Sequence, residues 1–299
     1  MKTNEIREKV KRFKCNINSF TKSKLVGYGT YSEVFLAISE KDNKEVALKI
    51  FNDRVFDEKT ENMFYKEILI LSSCKSKFVI KLLGFTDVYP FSMALEFAKY
   101  GSLYDTLRHK PGKPNLSGTQ KTIIAMGVAS GMKEIHKNGI IHCDLKSMNI
   151  LLDEQLLPKI CDFGISRFNE DIKDDDNDDR IIGTAHWMAP EIFNSSEYSH
   201  KSDVYSFGIL LWEMLTEKMP FDGESDMQVM TTVCLQKKRP IIPKAVSNEL
   251  KELIVLCWAQ SPQERPSFDH IFQLFLSKKV FFPNTNVNML DEIIKYVFK

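Results

Sequence analysis

His142-Cys143-Asp144-Leu145-Lys146-Ser147-Met148-Asn149 and, beyond an apolar run and a tight connection, Asp162-Phe163-Gly164 stand in a chain whose character changes along its length. From about residue 25 to residue 50 the side chains alternate as in strands. In Val46-Ala47-Leu48-Lys49-Ile50 a period of two puts Val46, Leu48 and Ile50 on one face and Ala47 and Lys49 on the other. A lysine on a buried side needs an anionic partner. Phe64, Ile68 and Leu71 then recur at helical spacing, with Glu67 beside the stripe and an end near Ser72 and Ser73. Residues 78–83 and 91–97 read as two further strands joined through a loop around Asp87 and Pro90. A small sheet with one helix follows.

After Gly101 the pattern is helical. Residues 103–108 form one predicted helix and residues 122–137 another, the latter with Ile124, Val128 and Ile135 along one face. Between them Pro111, Gly112 and Pro114 mark a loop. The chain is therefore expected to be α+β, with an asymmetric pair of lobes and no internal repeat.

Composition bounds the function. The 299 residues suffice for a large two-lobed domain with a buried core. With 41 basic against 40 acidic residues, nothing in the balance favours nucleic acid or an anionic membrane as partner. The six cysteines lack the paired spacings of a zinc site or a disulfide framework, which fits reduced thiols and a cytoplasmic location. Lys2, Glu5, Arg7, Glu8 and Lys9 interrupt the N-terminus, which lacks a signal peptide's apolar core. The richest apolar stretch, from Phe207 to Trp212, stops at Glu213, so no transmembrane segment is expected. Nothing in the sequence specifies an oligomeric state.

The two opening segments, lying upstream of Ala189-Pro190-Glu191, resemble the catalytic loop, metal-binding turn and activation-segment end of a protein kinase. The resemblance implies the bilobal kinase fold: a small β-rich N-lobe with one main helix over about 20–94, a hinge at 95–99, and a larger, mainly helical C-lobe over 100–278. A basic leader (1–19) and an amphipathic tail (279–299) flank it. It further implies ATP and Mg²⁺ as cofactors, with Mn²⁺ as a substitute ion. Asp144 would orient and deprotonate the acceptor hydroxyl, and Lys146 would steady the charge on the transferred group. Lys49, paired with Glu67, would hold the phosphates, and Asn149 and Asp162 would ligate the metal. Read without that resemblance, Glu67 is as readily a solvated helix residue.

The nucleotide set implied by the same resemblance is Val26, Gly27, Gly29, Val34, Ala47, Lys49, Leu95, Glu96, Ala98, Asp105, Leu151 and Asp162. In it Val34, Ala47 and Leu151 sandwich the adenine, Leu95 is the gatekeeper, the backbone from Glu96 to Ala98 meets the adenine edge, and Asp105 contacts the ribose. Taken alone, Gly27-Tyr28-Gly29 is as well explained by a hairpin, since Ser32 stands where the phosphate loop has its third glycine. Asp203 would brace the catalytic loop and Arg265 would pair with Glu191, both as scaffold residues.

Lys146, two positions after Asp144, resembles the lysine that serine/threonine kinases share, and Gly183-Thr184 the family's substrate-docking turn, a resemblance that implies serine and threonine acceptors on protein substrates. The segments from Gly183 to Glu191 and from Asp203 to Gly208 resemble the tyrosine kinase-like group. The alternatives are a dual-specificity kinase, a pseudokinase acting as a nucleotide-binding scaffold, and a small-molecule kinase. The lysine and both aspartates whose loss marks pseudokinases are present, and the full segment from Asp162 to Glu191 suits a peptide site.

One departure bears on control. Cys143 stands where the family usually has an arginine that pairs with an activation-segment phosphate. No serine, threonine or tyrosine lies between Arg167 and Gly183, where Glu170, Asp171, Asp174, Asp175, Asp176, Asp178 and Asp179 instead form a self-repelling, solvated run. Activity independent of activation-loop phosphorylation is expected. Cys161 is either a reactive thiol beside the nucleotide or an inert core residue. Arg7, Lys9, Lys11, Arg12 and Lys14 suggest a solvated helix with no assigned function. Leu290, Ile293, Ile294 and Val297 suggest an amphipathic tail helix packing on the larger lobe or on a partner.

Overall fold

A computed structural model describes residues 3–29, 32–51, 58–169 and 183–298, so the acidic run at 170–179 lies outside the described residues, as do Thr30 and Tyr31. The chain forms two compact units. One runs up to Lys99 and includes Cys161–Gly164; the other holds Tyr100–Ile160 and everything from Ile165 onward.

The first unit is built on an antiparallel five-stranded sheet. Helix α1 (Thr3–Val10) precedes strands β1 (Phe20–Tyr28), β2 (Ser32–Ser39) and β3 (Glu45–Phe51), helix α2 (Glu58–Ser73), and strands β4 (Leu82–Thr86) and β5 (Ser92–Glu96). Their order across the sheet is β1-β2-β3-β5-β4. The register places Val34 opposite Lys49 and Ala47 opposite Leu95. Val46 and Leu48 join Ala37 and Ala94 in a buried cluster, as the period of two requires. Phe64 of α2, fully buried, meets Phe51, Phe85 and Phe91 edge-on at centroid distances of 5.1, 6.0 and 5.7 Å. Each such pair adds about 0.5–1.5 kcal/mol to its area burial.

Two expectations change here. Residues 78–81 are not strand. Phe78, Val79 and Ile80 are buried, but Ser76 captures the Phe78 amide on its hydroxyl (3.2 Å) and the Val79 amide on its carbonyl (3.2 Å), so the ladder starts only at Leu82. The leader is helical and its cations Lys9, Lys11, Arg12 and Lys14 are exposed, but it is not solvated all round, because Ile6 and Val10 are buried and α1 packs on α2.

The second unit opens with β6 (Gly101–Ser102), α3 (Leu103–Leu107) and α4 (Gly118–Lys137). Four short strands follow, β7 (Ile140–Ile141), β8 (Ile150–Leu152), β9 (Pro158–Ile160) and β10 (Arg167–Phe168); β6, β8 and β9 form one sheet and β7 pairs with β10. The remainder is helical: α5 (Pro190–Ser195), α6 (His200–Thr216), α7 (Asp226–Met230), α8 (Asn248–Cys257), α9 (Phe268–Leu276) and α10 (Val287–Val297). Helix α4 begins four residues before the predicted start at 122 because Ser117 and Gln120 form a reciprocal capping box. Helix α6 is buried without a break from Ser202 to Met214. At Gly208 a Cβ would lie 2.8 Å from Cys257 Cβ, so glycine permits the approach of α8. The tail packs in this unit, with Leu290 and Ile294 buried and the Phe282 amide donating to Thr122 Oγ1 at 2.9 Å. No helix among the described residues is long and apolar enough to cross a membrane.

Candidate active site

Each unit holds one group of the residues singled out by the sequence. In the first, β3 aims Lys49 at α2, and Nζ donates to both carboxylate oxygens of Glu67 at 2.8 Å. Asp162 Oδ1 stands 4.0 Å from the same ammonium. Burial strips water from Lys49, yet Glu67 and Asp162 outweigh that loss and hold its pKa above the ordinary lysine value. Burial pushes the Glu67 carboxyl up against the pull of Lys49. Deleting Lys49 would leave the buried Glu67 carboxylate unpaired, a loss of about 3–5 kcal/mol.

Asp162 adopts a left-handed backbone (φ 66°), followed by the fully buried Phe163, and its side chain remains 52% exposed. Burying the phenyl ring while the preceding carboxylate faces outward is what this turn achieves. Gly27 and Gly29 sit at the end of β1 and just after it; the Gly29 amide donates to Ser32 O at 2.7 Å, and Val26 is exposed. Leu95 and Ala98 are buried, and Glu96 on β5 accepts the Lys81 amide at 2.8 Å.

In the second unit a single 3-10 turn, Ser147–Asn149, closes the catalytic-loop segment. Asp144 gathers three donors. Thr184 Oγ1 donates to Oδ1 (2.9 Å), while Lys146 Nζ (2.5 Å) and Asn149 Nδ2 (3.0 Å) donate to Oδ2. Lys146 also donates to Thr184 Oγ1 at 2.6 Å, so Asp144, Lys146 and Thr184 close a ring. Leu151 lies on β8. Asp105, on α3, loses some stabilisation to burial, but Lys110 at 2.6 Å and Ser102 hold its carboxyl below the usual range.

The loop is braced from beneath by α6. Asp203, fully buried, accepts the His142 amide at 2.8 Å, the Cys143 amide at 3.0 Å and His136 Nε2 at 2.8 Å. This fixes Cys143 in the left-handed region (φ 69°), a strained setting for a non-glycine residue. Arg265, also buried, grips Glu191 with two parallel bonds of 2.6 and 2.8 Å.

Two participants escape a sequence reading. Thr184 stands out there only as part of a docking turn, although its hydroxyl completes the ring on Asp144. Glu213 ends an apolar run, yet it is fully buried and accepts from Ser147 Oγ (2.8 Å), Arg108 Nη2 (2.8 Å) and Trp187 Nε1 (3.1 Å). Burial outweighs these donors and pushes its carboxyl up to about 7. A charged residue within a buried helix was the available signal.

The family model described as protein tyrosine and serine/threonine kinase matches residues 20–275. The chain belongs to that family. It is 35% identical over 260 residues to a probable serine/threonine-protein kinase of Dictyostelium discoideum, covering 86% of this chain and 28% of the relative. It is 34% identical over 256 residues to serine/threonine-protein kinase STY17 of Arabidopsis thaliana, covering 84% and 43%. The dual specificity protein kinase shkB of Dictyostelium discoideum is 33% identical over 277 residues, covering 90% and 42%. This kinase-family chain thus spans less than half the length of each of these relatives. STY17 is of the tyrosine kinase-like type, the group that the segments around Thr184 and Asp203 resemble.

Proposed function

We propose that this chain is a protein serine/threonine kinase that transfers the γ-phosphate of ATP to hydroxyls of protein substrates, in a cytoplasmic setting. The observation that carries the reading is the convergence of Thr184, Lys146 and Asn149 on the Asp144 carboxylate. A carboxylate held by three donors keeps one orientation, which suits a base that must meet a hydroxyl along a defined line. In this reading Asp144 accepts the hydroxyl proton. Lys146 places an ammonium where negative charge builds. Lys49, held charged by Glu67, binds phosphate oxygens.

The residues fit the expected cofactors. Asp162 offers a half-exposed carboxylate. Asn149, whose Nδ2 is bonded to the Asp144 carbonyl (2.9 Å) and carboxylate, would ligate through Oδ1. Among the described residues no group of three His, Cys, Asp or Glu side chains could hold a metal by itself. Asp162 and Asn149 would offer oxygen ligands to Mg²⁺, or to Mn²⁺ in its place, with phosphate oxygens and water completing the shell. When bound, the ion would offset phosphate charge and polarise the transferred group. The nucleotide would otherwise be held by Val26, Gly27, Gly29, Val34, Ala47, Leu95, Glu96, Ala98, Asp105 and Leu151. The domain limits proposed are 20–278, with the hinge at 95–99. Cys143 carries no cation to meet a phosphate, which supports activity without activation-loop phosphorylation.

Transfer from labelled ATP to serine, threonine and tyrosine peptides, by wild type and Asp144→Asn, tests the reading. Serine and threonine peptides should be labelled, and the variant should lose about 10²–10⁴-fold in rate. Equal labelling by both proteins would refute it. Tyrosine labelling would favour dual specificity, the property named for the shkB relative.

A further inference from the structure

We propose that the leader, from α1 to Cys15, is a positioning element for Glu67: it clamps α2 on the side away from Lys49 and so sets the phosphate-holding pair. The inference rests on the proposed role of Lys49 and Glu67 in binding ATP. Tyr65 and Glu67 are two residues apart on α2, about 200° around the helix, so they face opposite ways. Glu67 faces Lys49, whereas Tyr65 faces the leader.

Three separate attachments hold the leader. On α2, Arg7 pairs with Glu61, and its guanidinium lies 4.9 Å from the centroid of the Tyr65 ring. Glu61 and Tyr65 are one turn apart and form a single stripe. At the turn between β4 and β5, Asp87 Oδ2 accepts both the Tyr65 hydroxyl (3.1 Å) and Lys14 Nζ (2.5 Å). On β4, an edge strand of the sheet, the Cys15 amide donates to Phe85 O at 2.9 Å. Gly84 makes that last approach possible, since a Cβ there would lie 2.6 Å from Cys15 Sγ and 3.2 Å from Phe13 O. Ile6 and Val10 of α1, which packs on α2, are buried.

Phe64 packs α2 on the sheet between the Lys49 side and the leader side, and a roll of the helix about that apolar contact moves Glu67 away from Lys49. The leader supplies the opposing contact, with Tyr65 as the shared element. Arg7 and Lys14 are then positioning residues that act through Tyr65, Glu61 and Asp87 on Glu67.

The test compares the full chain as wild type, Arg7→Glu, Glu61→Arg and the double reversal. Hydrogen exchange across α2 is measured without nucleotide, alongside KM for ATP and kcat. Each single reversal should speed α2 exchange and raise KM for ATP roughly threefold to tenfold with a smaller change in kcat, and the double reversal should restore both. Single variants that match wild type in α2 exchange would overturn the clamp. So would a double reversal no better than its parents. If the wild type transfers no phosphate, the kinase reading fails by itself, and the exchange comparison still decides the clamp.

Discussion

Replacing Glu191 with alanine measures how much of the second unit's stability rests on one desolvated ion pair. The Arg265 side chain is 0% exposed, and both of its terminal nitrogens bond the carboxylate, at 2.6 and 2.8 Å. Removing a partner from a buried pair costs about 3–5 kcal/mol, because the remaining charge is left without a counter-ion. Here the guanidinium would keep three backbone acceptors, Ala259 O (3.0 Å), Lys201 O (2.9 Å) and Gln260 O (3.4 Å). They offset part of the loss and place it near the lower limit, about 3 kcal/mol. At about 2–4 °C per kcal/mol for a unit of this size, the midpoint should fall by about 6–12 °C. Thermal and urea unfolding of wild type, Glu191→Ala, Glu191→Gln, Arg265→Met and Glu191→Ala/Arg265→Met would read it. The glutamine variant should fall between, and the double variant should lose less than the sum of its parents. A loss below about 1 kcal/mol for Glu191→Ala, or simple additivity, would refute the argument that a stranded cation is the cause.

Glu213 makes stability depend on pH in the opposite sense to an ordinary salt-bridged carboxylate. Its proton is held to about 7 when folded, against 4.5 unfolded, so across that window the folded chain binds more protons and stability falls as pH rises. Glu213→Gln should remove that slope from urea midpoints, and parallel profiles for the two proteins would contradict it. Gly208→Ala would set a Cβ 2.8 Å from Cys257 Cβ and 3.0 Å from the Trp258 amide nitrogen, forcing α6 and α8 apart. A cost of about 1–3 kcal/mol in thermal unfolding is expected, and an unchanged midpoint would mean that the helices have slack.

What could be read from the sequence was what depends on near neighbours in the chain. The period of two over Val46–Ile50 placed Lys49 on the face away from the apolar cluster, and β3 carries it there. The stripe of Phe64, Ile68 and Leu71 located α2 and its end at Ser73. Short-range pattern failed where burial and hydrogen bonding part company. Phe78, Val79 and Ile80 are as apolar and buried as a strand, but Ser76 bends them into a turn. The leader's five cations drew the eye to solvent, while Ile6 and Val10, four apart, carry its packing. Thr184 and Glu213 depend on partners distant in sequence, so local pattern does not name Asp144 and Ser147 as their partners, even where a charge inside an apolar helix marks Glu213 itself.

The first unit is discontinuous, and this governs how the chain is made and divided. Its sheet, leader and α2 are all synthesised by Lys99, but Cys161–Gly164 belong to the same unit and emerge only after the whole of Tyr100–Ile160. Phe163 therefore reaches its buried place late, after α4 and β7–β9 have been translated. A fragment ending at Lys99 would lack Asp162, one of the two anions that keep Lys49 charged. No single cut releases both units whole, and a split-protein design would have to carry Cys161–Gly164 back to the first fragment.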